Sequence, residues 1–162
     1  MILVGIGSNL SGRVGAPIET VKESLTALQA NGMNILACSE FYNTPPVGPP
    51  GQGDYVNLVV RVSSILMPHG ILDRLQLIES QFGRQRSVKW GARTLDLDML
   101  DWHGHQMQGR LNLPHPELTK RGFVLRPLMD VSPEWRDPKT GKSVGVLWNS
   151  LGITERLKIM KL

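Results

Sequence analysis

Apolar side chains in this chain recur at spacings that switch between those of strands and those of helices. Met1 to Gly7 is a short apolar run with interleaved glycines, suited to a buried strand, and Ser8-Asn9 breaks it. Ile18, Val21, Leu25 and Leu28 then recur at helical spacing behind Pro17, which a first turn tolerates, and Asn31-Gly32 offers a left-handed stop. This predicts an amphipathic helix. Ile35 to Tyr42 reads as a second strand, and Tyr55 to Val62 as a third with Val56, Leu58, Val60 and Val62 on one face. Ile71, Leu72, Leu75, Ile78 and Phe82 describe a second helix closed by Gly83. Thr94 to Leu100 alternates as a strand, with Leu95, Leu97 and Met99 opposite Asp96 and Asp98. Beyond it, Arg110 to Leu128 lacks a clear period, and Pro127 to Leu162 mixes turn signals such as Asp137-Pro138 and Thr140-Gly141 with short apolar clusters. The order strand, helix, strand, strand, helix, strand predicts an α+β sandwich of the ferredoxin-like kind, a mainly antiparallel sheet with helices packed against one face. No repeat, low-complexity tract or linker interrupts it, so residues 1–162 are expected to form a single domain.

Composition narrows the class. At 162 residues and 41% hydrophobic, the chain has the apolar mass for a core, with roughly two-thirds of its unfolded surface buried on folding. Its one cysteine, Cys38, excludes an intrachain disulfide and any multi-cysteine metal cluster. No apolar run approaches the ~18 residues of a membrane helix, and Met1-Ile2-Leu3-Val4 has neither a basic flank nor a small-residue cleavage signal. A cytoplasmic protein without membrane association is expected, starting at Met1. The net charge of +4 is moderate, but Arg84, Arg86, Lys89 and Arg93 fall in ten residues free of acids, followed by Arg110, Lys120, Arg121 and Arg126. That density suits an anionic ligand, although a solvated basic face is the commoner meaning of a charge run.

Some motifs mislead. Gly5-Ile6-Gly7 begins like a dinucleotide fingerprint, yet its third glycine would fall on Leu10; Gly141-Lys142-Ser143 ends like a P-loop, yet the leading glycine would fall on Arg136. His103 and His105 lack a third metal ligand nearby. The sharper feature is Arg93-Thr94-Leu95-Asp96-Leu97-Asp98. On a strand the two acids project from one face with backbones about 7 Å apart, where they repel unless a cation lies between them. Either nearby arginines or magnesium, which is commonly held by one or two carboxylates plus substrate phosphates, meets that need. The upstream basic stretch favours a polyphosphate bridged by the metal, and phosphoryl-type transfer asks little of a protein beyond positioning and charge neutralisation.

Asn43 to Gly53 holds four prolines and three glycines in eleven residues, a long loop of the kind that often lines a site. Directly after it, Tyr55 and Asn57 share a strand face, an aromatic plate beside an amide that suits a flat heterocycle with hydrogen-bonding edges. Leu113-Pro114-His115-Pro116 and Arg121-Gly122-Phe123 add an imidazole in a stiff frame, a guanidinium and a second aromatic ring.

Taken together, Gly7-Ser8-Asn9-Leu10, Phe41 to Pro49, Asp54-Tyr55-Val56-Asn57, Glu79 with Gly83-Arg84, Trp90-Gly91-Ala92-Arg93-Thr94-Leu95-Asp96-Leu97-Asp98, Pro114-His115-Pro116 and Arg121-Gly122-Phe123 resemble the 6-hydroxymethyl-7,8-dihydropterin pyrophosphokinases of folate biosynthesis. The resemblance implies long active-site loops and transfer of a diphosphoryl group from ATP to the pterin hydroxymethyl oxygen, with release of AMP. It implies a pterin ring between Tyr55 and Phe123, its edge read by Asn57 and by the segment holding Thr44, Pro45 and Val47. It implies two Mg2+ ions on Asp96 and Asp98, catalytic roles for Arg84 and Arg93, and a loop bearing Arg86 and Trp90 that closes over the reactants. Gln76, Glu79, Met99, Arg110, Asn112, His115 and Arg121 would surround the nucleotide. Ala92 departs from the proline usual in the family. ATP and the pterin are the expected partners, with no nucleic acid and no obligate protein partner. Two rivals are a base-stacking nucleic-acid module, which the paired acids oppose, and a metal-dependent phosphohydrolase using the same acids on water.

Overall fold

The structure, a computed structural model, describes residues 1–84 and 91–162. Arg86 and Trp90, expected on a closing loop, lie outside the described residues. The elements follow in the order β1 (Ile2–Ser8), α1 (Pro17–Ala30), β2 (Asn34–Cys38), β3 (Tyr42–Thr44), β4 (Tyr55–Ser63), α2 (Pro68–Gln81), β5 (Asp96–Trp102), a 3-10 turn (Leu118–Lys120), α3 (Gly122–Val131), α4 (Val144–Ser150), α5 (Ile153–Leu157) and β6 (Met160–Lys161).

The sheet runs β5-β1-β4-β3-β6, with β2 also paired to β4 and every pairing antiparallel. Without β3 and β6 this is the ferredoxin-like order, two interleaved β-α-β units. The single strand expected over Ile35 to Tyr42 is instead β2 and β3, laid end to end on β4. Ser39 divides them, because its hydroxyl accepts the Val59 N–H at 3.0 Å and donates to the Glu40 carbonyl at 2.8 Å, leaving the ladder pattern.

The helices form for the reasons the pattern gave. Pro17 and Pro68 open α1 and α2 at positions whose N–H would be unpaired anyway. The Glu19 carboxylate accepts the Ala16 N–H at 2.8 Å, and the Asn31 side chain donates to the Ala27 carbonyl at 2.8 Å. Val21 and Leu28 of α1 and Ile71, Leu75 and Ile78 of α2 pack on Ile2, Val4, Ile6, Leu58, Val60, Leu97 and Met99.

The opposite face is not bare, contrary to the expectation of helices on one side. Leu3, Val59 and Leu100 point into a second core with Leu118, Val124, Leu125, Leu128, Trp135, Val144 and Leu147. Its centre is α3, which Pro127 masked in the sequence. The structure keeps Pro127 inside the helix, and Val124, Leu125, Leu128 and Val131 form the stripe that docks.

Candidate active site

Between α3 and the sheet lies a cavity of about 370 Å³. Strand register builds its floor. Gly7 stands between Asp96 of β5 and Asn57 of β4, and Gly5 between Asp98 and Val59. Two residues without side chains on the central strand leave a trough, flanked by the acids on one side and by Tyr55 and Asn57 on the other. The glycines that failed as a dinucleotide fingerprint are therefore part of the site. Their signal in the sequence was glycine inside a strand, which marks close approach of another group.

The trough's far wall comes from the segments after β3 and β5. Thr44, Pro45 and Val47 line it, as do His115, Pro116, Glu117, Arg121, Phe123 and Val124. Asn57 donates its amide to Thr44 Oγ1 at 2.6 Å, fixing the orientation of both. A Cβ at position 7 would lie 2.7 Å from Asn57 Oδ1, so only glycine leaves room for that amide. Burial raises the Tyr55 phenol above its ordinary range, outweighing the pull of Arg93, and keeps it a neutral donor. Arg121 places its guanidinium 5.6 Å from the centre of the Phe123 ring.

The acidic side is more tightly engaged. Asp96 Oδ1 takes Arg93 Nη1 at 2.6 Å and Arg84 Nη1 at 3.1 Å. Arg84 also pairs with Glu79, whose buried carboxylate accepts the Leu97 N–H at 2.8 Å. Burial pushes Glu79 up to about 7 against the opposing pull of Leu97 and Arg84. For Arg93 burial works against the charge, but Asp96 outweighs it and leaves the guanidinium more firmly protonated than usual. Asp98 is raised by burial and then by Asp96 beside it, with His115 Nε2 3.9 Å from its Oδ2. The imidazole is oriented by its own turn, Nδ1 accepting the Glu117 N–H at 3.2 Å.

The nucleotide set suggested by resemblance is less gathered. His115 and Arg121 line the cavity with Asp96 and Asp98, whereas Met99 is packed in the α1–α2 core and Arg110 pairs with Asp73 on α2. Asn112 accepts the Gly109 N–H at 3.2 Å; Gln76 lies half-buried on α2, and neither lines the cavity. Sequence reasoning gave Asn9 no role of its own. Its side chain accepts the Arg93 N–H at 2.8 Å and donates to the Gly53 carbonyl at 3.1 Å, tying the proline-rich loop to the arginine segment. An asparagine directly after a buried strand was the available hint.

The acids also bear on a metal. Among the described residues no group of three or more His, Cys, Asp or Glu could hold an ion. Two neighbouring carboxylates, one of them raised by burial and then by the other, nonetheless provide hard oxygen donors suited to magnesium completed by phosphate and water.

Within this α+β sandwich one cavity joins a carboxylate–guanidinium half, suited to a metal-bridged phosphate, to an aromatic–amide half, suited to a flat heterocycle. Residues 3–133 match the family model of the 7,8-dihydro-6-hydroxymethylpterin-pyrophosphokinases (HPPK), and the chain belongs to that family. It is 39% identical over 144 residues to the 2-amino-4-hydroxy-6-hydroxymethyldihydropteridine pyrophosphokinase of Synechocystis, covering 88% of this chain and 71% of the relative. It is 38% identical over 157 residues to that of Haemophilus influenzae, covering 96% and 89%. The fold is similar to the wild-type Plasmodium falciparum HPPK-DHPS with pteroate, at TM-score 0.73 and 12% identity over 91% of this chain. The match spans 43% of that longer chain. This chain is thus an ATP-dependent pyrophosphokinase acting on a hydroxymethyldihydropterin in folate biosynthesis.

Proposed function

We propose that the cavity holds the pterin ring between Tyr55 and Phe123, with Asn57, Thr44 and the backbone from Thr44 to Val47 against its edge, and that the ATP phosphates approach from Asp96, Asp98, His115 and Arg121. The observation that carries this reading is the trough over Gly5 and Gly7, which joins the two halves in one space. In-line attack by the hydroxymethyl oxygen on the β-phosphorus forms the new P–O bond and breaks the one to the α–β bridging oxygen, so that AMP leaves with that oxygen and the hydroxyl proton is released to solvent. Asp96 and Asp98 would hold two magnesium ions, which when bound offset the charge of the phosphates. Arg84 and Arg93 then exchange Asp96 for the transferring diphosphoryl group, where planar guanidinium forks stabilise the charge that grows on its oxygens. Gln76, Glu79, Met99, Arg110 and Asn112 remain the nucleotide set suggested by resemblance; of these, Glu79 acts through Arg84 and Leu97.

On this reading residues 1–162 form a single pyrophosphokinase domain without an obligate protein partner, working in the cytoplasm. Incubation with ATP, magnesium and the reduced hydroxymethyl pterin, followed by product masses, tests the reaction. AMP and a diphosphorylated pterin are expected. ADP and phosphate formed equally without pterin would overturn the reading in favour of a hydrolase.

A further inference from the structure

The two walls assigned to the pterin belong to different elements, Thr44 at the end of β3 and Phe123 at the start of α3. The Thr44 wall is fixed to β4, which pairs β3 as far as Thr44–Tyr55 and whose Asn57 amide donates to Thr44 Oγ1, whereas the start of α3 leans on the sheet chiefly through Val124, Leu125 and Leu128. Residues 159–162, which lie beyond the part of the chain matched by the family model, touch both. Met160 and Lys161 pair with Asn43 and Tyr42 as β6, and the Leu162 N–H donates to the Phe41 carbonyl at 2.9 Å. Lys161 Nζ adds an ion pair to Glu40 at 2.7 Å. On the other side, Ile159 Cδ1 and Cγ1 and Leu151 Cδ1 lie only 3.4 Å from where a Cβ on Gly122 would stand. Ile159 thus packs against the backbone directly before Phe123.

We propose that residues 159–162 are a clasp that sets the distance of the Phe123 wall from the Thr44 wall, and so act as positioning residues chiefly for the flat heterocycle and only weakly, through Arg121, for the nucleotide. The inference rests on the pterin reading given above. The geometry accounts for the asymmetry: the tail reaches β3 and Gly122 on the heterocycle's side, whereas Asp96, Asp98 and His115 are held by β5, β1 and the turn at Pro114–Glu117, so that of the described phosphate-side residues only Arg121 adjoins the tail's contact. Two of the tail's apolar side chains, Met160 and Leu162, stay 56% exposed or more. The clasp is therefore held by little beyond its ladder and Ile159, and one substitution should release it.

The test uses the full chain with Ile159→Ala, which empties the contact on Gly122, and Met160→Pro, which removes a ladder donor. Leu157→Ala, exposed and outside both contacts, is the control. Dissociation constants for the hydroxymethyl pterin, in the presence of a non-hydrolysable ATP analogue, and for the magnesium–ATP analogue itself are measured by calorimetry. Both clasp variants are expected to weaken pterin binding about tenfold while nucleotide affinity stays within about twofold, and Ile159→Val should recover most of the loss. Equal weakening of both ligands, or wild-type pterin affinity in both variants, would overturn the clasp. Should Met160→Pro fail to fold, Leu162→Pro removes the donor to Phe41 alone and is read the same way. Tyr55→Ala run in parallel separates the two ideas. If it leaves pterin affinity intact, the pterin reading itself has failed; if it weakens binding while the clasp variants do not, only the clasp has.

Discussion

Gly7 shows how much a missing side chain can decide. Replacing it with alanine puts a methyl group 2.7 Å from Asn57 Oδ1, and the amide must turn away from Thr44 Oγ1. The loss of one aligned hydrogen bond and the displaced wall should weaken pterin binding by roughly tenfold, about 1.4 kcal/mol, with magnesium–ATP binding little changed; titration calorimetry checks it. Arg93 makes the complementary case on the phosphate side. Arg93→Ala should slow single-turnover transfer by about two to three orders of magnitude and leave pterin affinity within roughly threefold, with Arg84→Ala in the same direction. Arg93→Lys should recover little, because an ammonium cannot present the planar fork that Asp96 meets at 2.6 Å. Rapid-quench measurement at saturating substrates decides this, and wild-type single-turnover rates in either alanine variant would refute its assigned role.

At the scale of elements, Asp130 joins α3 to β3. Its Oδ2 accepts Tyr42 Oη at 2.7 Å and the Glu40 N–H at 3.3 Å, while Oδ1 takes Arg126 Nη1 at 2.7 Å. Burial and then Asp130 push the Tyr42 phenol up to about 12, so it remains a donor throughout the physiological range. Asp130→Ala strands that buried hydroxyl and should cost about 1–3 kcal/mol in urea unfolding, whereas Tyr42→Phe removes the polar group with the bond and should cost less. Because the two share one bond, the double variant should cost less than the sum of the two single losses. β5 holds a second device. Alternation alone puts Leu100 on the α3 side with Asp96 and Asp98, and the register shift with β1 between Leu3 and Val4 turns Asp101 to that side as well, where it accepts Trp135 Nε1 at 2.6 Å.

For the molecule as a whole, the pH dependence of stability should carry the mark of Glu79. Its carboxyl sits at about 7 in the folded chain against an ordinary 4.5, so between those values the folded state keeps a proton that the unfolded chain has lost. The stabilisation from this group is full below about pH 4.5 and disappears as pH rises towards 7. Relative to Glu79→Gln, the wild-type chain should lose up to about 3 kcal/mol across that interval, read from urea midpoints at several pH values. A constant difference between the two proteins would refute the assignment.

Much of this architecture was legible in local order. The faces of α1, α2, β4 and β5 follow from periods of 3.6 and 2, and those same periods put Tyr55 beside Asn57 and Asp96 beside Asp98. Other features depend on partners distant in the chain. Pro127 reads as a breaker until a sheet face is available for the stripe around it, and Ile35 to Tyr42 reads as one strand until Ser39 meets Val59. Gly5 and Gly7 gain their meaning only from the strands registered on either side, and Arg84 and Arg93 converge on Asp96 only once α2 has packed on β5. Side-chain direction along an element is fixed by backbone geometry over a few residues, so the sequence alone determined which faces are apolar and which chemistry each strand offers. Register and the meeting of distant segments are set by pairing and burial across the whole chain, and so the trough, its second layer and the pairing of its charges were decided by tertiary structure.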